Sequence, residues 1–281
     1  MSASIAARRA AFRALHEQGC FILPNPWDAG SAIYLQHLGF KALASSSAGF
    51  AWSQGLADYR VSRARVLAHL RTLVEATDLP INADFEAGFA DTPEGVAESV
   101  RMAVATGVAG LSIEDSSGLP DAPIRDLGDA VARLTAARKA IDETGGDTLL
   151  VGRAENFLHG RNDIEDTITR LKAYAEAGAD CLYAPAVRER AHIEAIVQAV
   201  APKPVNLLVG SASEFSVDDI AAMGVRRISI GGALARTAWA GMEQAITTLQ
   251  NTGRFDGFAH MMPHAALNAL FANRHDEHHD D

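Results

Sequence analysis

Carboxylates close several short apolar runs along this chain. Asp84 and Glu86 follow Ile81-Asn82-Ala83, Glu114 and Asp115 end Gly110-Leu111-Ser112-Ile113, Arg153 and Glu155 end Leu149-Leu150-Val151-Gly152, and Asp58 lies further upstream. An acid in such a place can move protons, hold a hard cation, or only cap the next helix. Alone, Asp84 or Asp115 reads as a cap, and Arg153 as the partner of a neighbouring acid. Their recurrence changes the reading. If the strand ends share one rim, Asp58, Asp84 and Glu114 repel one another unless a cation sits among them, and an oxygen-only donor set suits Mg²⁺, with Mn²⁺ as its substitute.

Other chemistries fit less well. Ser45-Ser46-Ser47-Ala48-Gly49 offers hydroxyls and backbone N–H groups for an anion, whereas by itself it would read as a polar loop. A Schiff-base lysine must stand desolvated in the site. Lys41 and Lys203 start apolar runs instead, and Lys139 and Lys172 fall within helical stretches. No nucleophile accompanies His159, and no phosphate-binding glycine loop is present. Cys20 and Cys181 read as small buried hydrophobes. The terminal His275-Asp276-Glu277-His278-His279-Asp280-Asp281 reads as a solvated tail.

One recurring pattern positions these groups. An amphipathic stretch, a glycine, an apolar residue and a short apolar run recur at Gly39, Gly107, Gly178 and Gly224. Glycine just past a helix takes the left-handed conformation there. The runs that follow are continuous rather than alternating, as in parallel strands covered on both faces. Eight strands are expected at Phe21–Leu23, Lys41–Ser45, Ile81–Asp84, Gly110–Glu114, Leu149–Arg153, Cys181–Ala184, Pro204–Leu208 and Arg227–Ile230. Helices are expected over Ser62–Ala76, Pro93–Thr106, Leu127–Thr144, Ile164–Ala177 and Glu189–Val200, with Met1–Gln18 before the first strand and His260–Phe271 after the last unit. This is an α/β chain, and the repeat indicates a (β/α)₈ TIM barrel over residues 1–259, followed by a C-terminal helix and His/Asp-rich tail over 260–281. A doubly wound sheet would need a glycine-rich first turn, which Pro24-Asn25-Pro26-Trp27 is not. In a barrel the groups at the C-terminal strand ends converge, so the acids and Arg153 share a mouth.

Composition agrees with a soluble barrel of 281 residues: 48% of them are hydrophobic and 21% charged. The net charge of −10, without a basic cluster, argues against nucleic acid and anionic membranes as partners. No apolar segment has the length of a signal peptide or a bilayer span, so a cytoplasmic location is expected.

Five segments carry a family resemblance. Asn25-Pro26-Trp27-Asp28-Ala29, the serine turn with Gly55-Leu56-Ala57-Asp58, Asn82-Ala83-Asp84, Gly110-Leu111-Ser112-Ile113-Glu114-Asp115 and Gly152-Arg153-Ala154-Glu155 resemble, in order, the isocitrate lyase and phosphoenolpyruvate mutase superfamily. The resemblance implies a homotetramer, a dimer of dimers, that swaps a C-terminal helix between subunits. It also implies a 2-oxo acid substrate bound with Mg²⁺. Asp58, Asp84 and Glu114 would hold the ion largely through water, with Asn82 and Glu86 completing the candidate set. Ser45, Ser46, Ser47 and Arg153 would hold the substrate carboxylate, and Asn206 joins the candidate substrate contacts. Arg153, Glu114 and Asp58 are the candidate catalytic residues.

The chain departs from the family pattern in three places. Asn82 stands where the first acid of an Asp-X-Asp pair is usual, Ser116-Ser117-Gly118-Leu119-Pro120 replaces a cysteine-bearing loop, and Pro185 replaces the histidine of the mutase. The first reading is a lyase or decarboxylase for an oxaloacetate-like acid, and loss of the loop thiol weighs towards decarboxylation over lyase chemistry, because that reaction needs chiefly an electron sink and then a proton for the enolate. P–C bond mutase or hydrolase chemistry is the alternative within the family. A barrel that binds a 2-oxo acid without turning it over is the alternative outside catalysis.

Overall fold

The four handover glycines adopt the conformation their positions demand: Gly39, Gly107, Gly178 and Gly224 have φ of 87°, 92°, 103° and 88°. Each reverses the chain from a helix C-terminus into the next strand. The computed structural model describes residues 3–272. After α1 (Ile5–Leu15) and β1 (Phe21–Leu23) come α2 (Ala29–His37), β2 (Leu43–Ala44), α3 (Ser47–Ser53) and α4 (Arg63–Ala76). The chain continues through β3 (Ile81–Asp84), α5 (Pro93–Val104), β4 (Gly110–Glu114), α6 (Leu127–Glu143), β5 (Leu149–Arg153) and α7 (Ile164–Glu176). Then follow β6 (Cys181–Tyr183), α8 (Arg190–Val200), β7 (Val205–Leu208), α9 (Val217–Ala222), β8 (Arg227–Ser229) and α10 (Ala233–Thr252).

All paired strands are parallel, in the order β1-β8-β7-β6-β5-β4-β3-β2. Between β1 and β2 the amide of Ala44 donates to the carbonyl of Pro24 at 3.0 Å, so the ring is nearly closed. The result is a (β/α)₈ barrel whose helices cover the outside of the sheet.

Helix α1 seals the N-terminal end of the barrel. Its Phe12 is fully buried among Leu23, Ala42, Ala44, Ala109 and Leu149. The Arg9 guanidinium donates to the carbonyls of Val104 and Val108, and Arg8 donates to that of Val74. Cations thereby meet the C-terminal carbonyls of α4 and α5 and the carbonyl of Val108 just before β4.

The expected N-terminal helix Met1–Gln18 is shorter, because Ser4 caps it at one end and His16 terminates it at the other. The expected strand Lys41–Ser45 narrows to the two residues of β2, because Ser46 already caps α3. Beyond α10, a 3₁₀ turn at Asp256–Phe258 leads to α11 (His264–Ala272), which packs against α2. The helix expected from His260 therefore starts later, just after Pro263, whose ring disfavours helical geometry in the residue before it. Residues 273–281 of the expected tail lie outside the described residues. Among the described residues no helix is long and apolar enough to cross a membrane.

Helix α10 is unusual in burying only Ala235. Trp239, Met242 and Ile246 on it are 50%, 52% and 43% exposed.

Candidate active site

The barrel brings acids from four loops and strand ends around a single guanidinium. Arg153, closing β5, places Nη1 3.3 Å from Asp84 Oδ1 and 3.1 Å from Glu114 Oε2. Its Nε and Nη2 engage both oxygens of the buried Glu155, and its guanidinium lies 5.2 Å from the centre of the Tyr183 ring. A guanidinium has five N–H groups. The two on Nη1 face Asp84 and Glu114, Nε and one on Nη2 serve Glu155, and one on Nη2 is left. The bidentate edge that the sequence offered to a substrate carboxylate is thus held by Glu155. A substrate gains a second donor from Arg153 only by displacing Asp84 or Glu114.

The serine turn serves the acids too. The Ser47 amide donates to Asp84 Oδ2 at 3.0 Å, and the Asp84 amide donates to Ser45 Oγ at 2.8 Å. The Ser47 side chain faces Asp58 and favours its charged form, while Ser46 Oγ caps α3 by accepting from Gly49 at 3.1 Å. Ser45 and Ser47 therefore aim the acids, while Ser46 fixes the start of α3 that carries Ser47. Their polar groups are partly committed before any ligand arrives.

Charge is poorly balanced here. Burial, reinforced by Asp84, raises the Asp58 carboxyl above its usual range. Burial together with Asp84 and Asp58 pushes Glu86 up to about 8. Burial likewise raises Glu114 and Glu155, although Arg153 opposes the shift in both. One guanidinium cannot neutralise Asp58, Asp84, Glu86, Glu114 and Glu155 together, so the cluster favours a cation. Among the described residues no three His, Cys, Asp or Glu side chains are arranged as a ready cage. The donors fit an ion held by one or two carboxylates and otherwise by water, which is how Mg²⁺ is commonly bound.

Two expected members do not join this cluster. Asn82 and Asn206 point instead to Arg227 at the start of β8. Asn206 Oδ1 accepts from Arg227 Nε at 2.8 Å, and Asn82 Oδ1 lies 3.4 Å from Arg227 Nη1. The reason is strand geometry: Asn82 shares a side with Asp84 but sits two residues, about 6.6 Å, deeper. The acid two residues from Asp84 that reaches the mouth is Glu86, held by backbone with φ of 47°. Asp115 also turns away. Buried, it accepts from Tyr174 Oη at 2.6 Å, Arg170 Nη1 at 3.1 Å and the Glu155 amide at 2.8 Å, and so anchors the end of β5.

The sequence reading missed Tyr59. Its hydroxyl donates to Glu114 Oε1 at 2.8 Å from a loop position next to Asp58. Adjacency to Asp58 was the available signal, but nothing in the sequence showed where the ring would point. His159 is exposed and lies 3.5 Å from Ser116 Oγ, outside the cluster.

Beside the acids a cavity of ≈480 Å³ opens over the ends of β6, β7 and β8. It meets the cluster at Ala48, next to Ser47, and its walls include Trp52, Leu158, Phe215, Arg188 and Arg236. The acids themselves do not line it. The mouth is therefore split into a charged half that can handle a carbonyl and a carboxylate and a wider half that can receive the rest of a small molecule.

The comparisons agree with this geometry. The phosphoenolpyruvate phosphomutase family model matches residues 12–250. The chain is 30% identical to 2-methylisocitrate lyase of Escherichia coli (strain K12) over 75% of its own length and 73% of the relative's. It is 30% identical to oxaloacetate decarboxylase of Paraburkholderia xenovorans (strain LB400), over 79% of this chain and 74% of that one. A crystal structure from Burkholderia cenocepacia J2315, provisionally named a lyase/mutase, superposes with a TM-score of 0.93 at 45% identity, covering 95% of this chain and 96% of the other. With the barrel, the acid-rich mouth and these matches in agreement, the chain belongs to the phosphoenolpyruvate phosphomutase family and is an enzyme of the isocitrate lyase and phosphoenolpyruvate mutase superfamily.

Proposed function

We propose that this enzyme is a Mg²⁺-dependent carbon–carbon lyase or decarboxylase for a small 2-oxo dicarboxylic acid, oxaloacetate-like in size and charge. The observation that carries the reading is the surplus of carboxylates around Arg153, several of them raised above their usual range by burial and mutual repulsion. Asp58, Asp84, Glu86 and Glu114 would hold the ion, which supplies a Lewis acid for the negative charge that develops on the substrate carbonyl oxygen. Arg153 would then give its Nη1 donors to the substrate carboxylate, while Glu155 keeps the guanidinium plane fixed. The Ser45–Ser47 turn keeps the acids aimed throughout.

Substrate size and charge follow from the cavity. Arg188 and Arg236 stand on its wall with Glu214 and can meet a second anionic group, while Trp52, Leu158 and Phe215 add apolar surface. The Ser116–Pro120 segment carries no acid or thiol, which suits a reaction whose enolate is protonated by water. For the assembly we propose a homotetramer in which the exposed face of α10 packs on a second copy of the chain.

The test is an assay of purified enzyme with Mg²⁺ against oxaloacetate, 2-methylisocitrate, isocitrate and phosphonopyruvate, following pyruvate, glyoxylate and phosphate release. Pyruvate from oxaloacetate that EDTA abolishes is the expected result. Phosphate from phosphonopyruvate alone would replace the C–C reading with P–C chemistry, and no product from any of the four would favour a binding role.

A further inference from the structure

Tyr59 combines three features that a surface loop residue rarely shows together. Its backbone is in the left-handed region, with φ of 60°, although it carries a large side chain. It is 45% exposed, so the ring gains little from burial. Yet its hydroxyl reaches 2.8 Å from Oε1 of Glu114, a residue only 2% exposed. Backbone strain of this kind persists where surrounding contacts over-determine it, and it gathers at functional sites. Glu86, another non-glycine residue with positive φ, belongs to the same acid cluster, and Ala186 lines the adjoining cavity.

Two bonds tie Tyr59 to the acids. Its amide donates to Asp58 Oδ1 at 3.0 Å, and its hydroxyl donates to Glu114 Oε1. One residue thus spans two acids that come from different parts of the chain. The Glu114 side chain is otherwise held by Arg153 Nη1 at Oε2, 3.1 Å away. The terminal torsion of a glutamate is broad and nearly two-fold, so a single bond leaves the carboxylate plane free to turn. A second bond on the other oxygen fixes it. Glycine at position 59 would relieve the backbone but remove that bond.

We propose that Tyr59 is a positioning residue for a divalent cation. It acts through Glu114, setting the plane of that carboxylate, and through Asp58, setting its distance from Glu114. The proposal rests on the metal reading given above and adds to it the group that prepares the site before the ion arrives. Groups that orient ligands in this way typically change metal affinity about 10- to 100-fold when removed.

Calorimetric titration of Mg²⁺ and Mn²⁺ into EDTA-treated, dialysed wild type, Tyr59→Phe and Tyr59→Gly tests it, with a melting curve for each protein. Tyr59→Phe keeps the ring and the amide and loses only the hydroxyl. It should keep the native fold by circular dichroism, melt somewhat lower because buried Glu114 Oε1 loses its partner, and bind both ions about 10- to 100-fold more weakly. Tyr59→Gly relieves the backbone strain but loses the same bond, and should also bind the ions more weakly. A Tyr59→Phe dissociation constant equal to that of wild type would overturn the proposal and leave the metal reading intact. Tighter binding by Tyr59→Phe would also overturn it, since the phenol would then be competing with the ion for Glu114. If wild type itself takes up neither ion, the metal reading falls and the proposal falls with it.

Discussion

At the scale of single residues, the mouth is governed by what burial does to carboxylates. Glu86 is pushed from 4.5 up to about 8, first by burial and then by Asp84 and Asp58. Without a bound cation, the folded protein keeps a proton on Glu86 that the unfolded chain releases above its ordinary value. The folded state binds more protons across that interval, so stability falls as pH rises from 4.5 towards 8 and levels off beyond it. Glu86→Gln removes its share of this slope, though Asp58, Glu114 and Glu155 are raised too and keep theirs. In EDTA at about pH 8.5 the variant should be more stable than wild type by a few kcal/mol, with the gap closing towards about pH 5. Denaturant titrations at the two pH values measure the gap. A gap that does not change with pH would remove Glu86 as its source. Arg153 also shows what residue type leaves open: the sequence allowed its guanidinium to grip a substrate carboxylate or to pair with a neighbouring acid, and only the folded backbone shows that Glu155 takes its bidentate edge.

Among the elements, α1 shows how far stability and chemistry can be separated in a barrel. Phe12 fills the end of the barrel opposite the strand termini that carry the acids, and His16 stacks edge-on against it with ring centres 4.7 Å apart. His16 Nδ1 lies 2.8 Å from the Phe12 carbonyl, so this nitrogen carries the proton, and Nε2 faces Arg227. Burial, with the Arg227 charge, lowers this histidine to about 3. Phe12→Ala empties a buried aromatic site and should cost about 3–5 kcal/mol. In a chain of this size each kcal/mol shifts the melting temperature by about 2–4 °C, so a drop on the order of 10 °C is expected. Calorimetry and an activity assay on the same sample check it: kcat per folded molecule should be unchanged below the transition. A large loss of kcat with an unchanged melting temperature would mean that α1 acts on the mouth. The helix itself was readable from the amphipathic N-terminal stretch. Its place under the barrel was not, because the contacts of Arg9 with Val104 and Val108 join residues about a hundred positions apart.

Considered as a whole molecule, the barrel leaves its long helix α10 largely uncovered among the described residues. A 20-residue helix that buries only Ala235 while showing Trp239, Met242 and Ile246 to solvent is out of keeping with an isolated domain. The apolar surface that includes Trp27, Trp239 and Met242 lies where α10 passes the barrel mouth. If a second copy covers this face, Trp239→Asp combined with Met242→Asp should convert an oligomer into a monomer with native circular dichroism. Light scattering coupled to gel filtration reads the mass. A wild type that runs as a monomer at micromolar concentration would refute the shared face.

Across the whole chain, what the sequence determined by itself was periodic or local. The eight strands, their intervening helices and the left-handed glycines follow from patterns a few residues long, and the barrel follows from their repetition. The candidate acids at Asp58, Asp84 and Glu114 were legible for the same reason: each closes an apolar run or lies in a loop beside one. Tertiary structure decided which members of each run face one another. Along a strand, adjacent residues differ in side, and residues two apart share a side but differ in depth. Thus Asn82 and Asn206 meet Arg227 in the interior while Glu86, with its left-handed backbone, comes up beside Asp84. Asp115, adjacent to Glu114, is drawn outward to Arg170 and Tyr174 by helix α7, which packs against β5. Sequence spacing could not distinguish these outcomes, because the deciding partners are supplied by segments that only folding brings near.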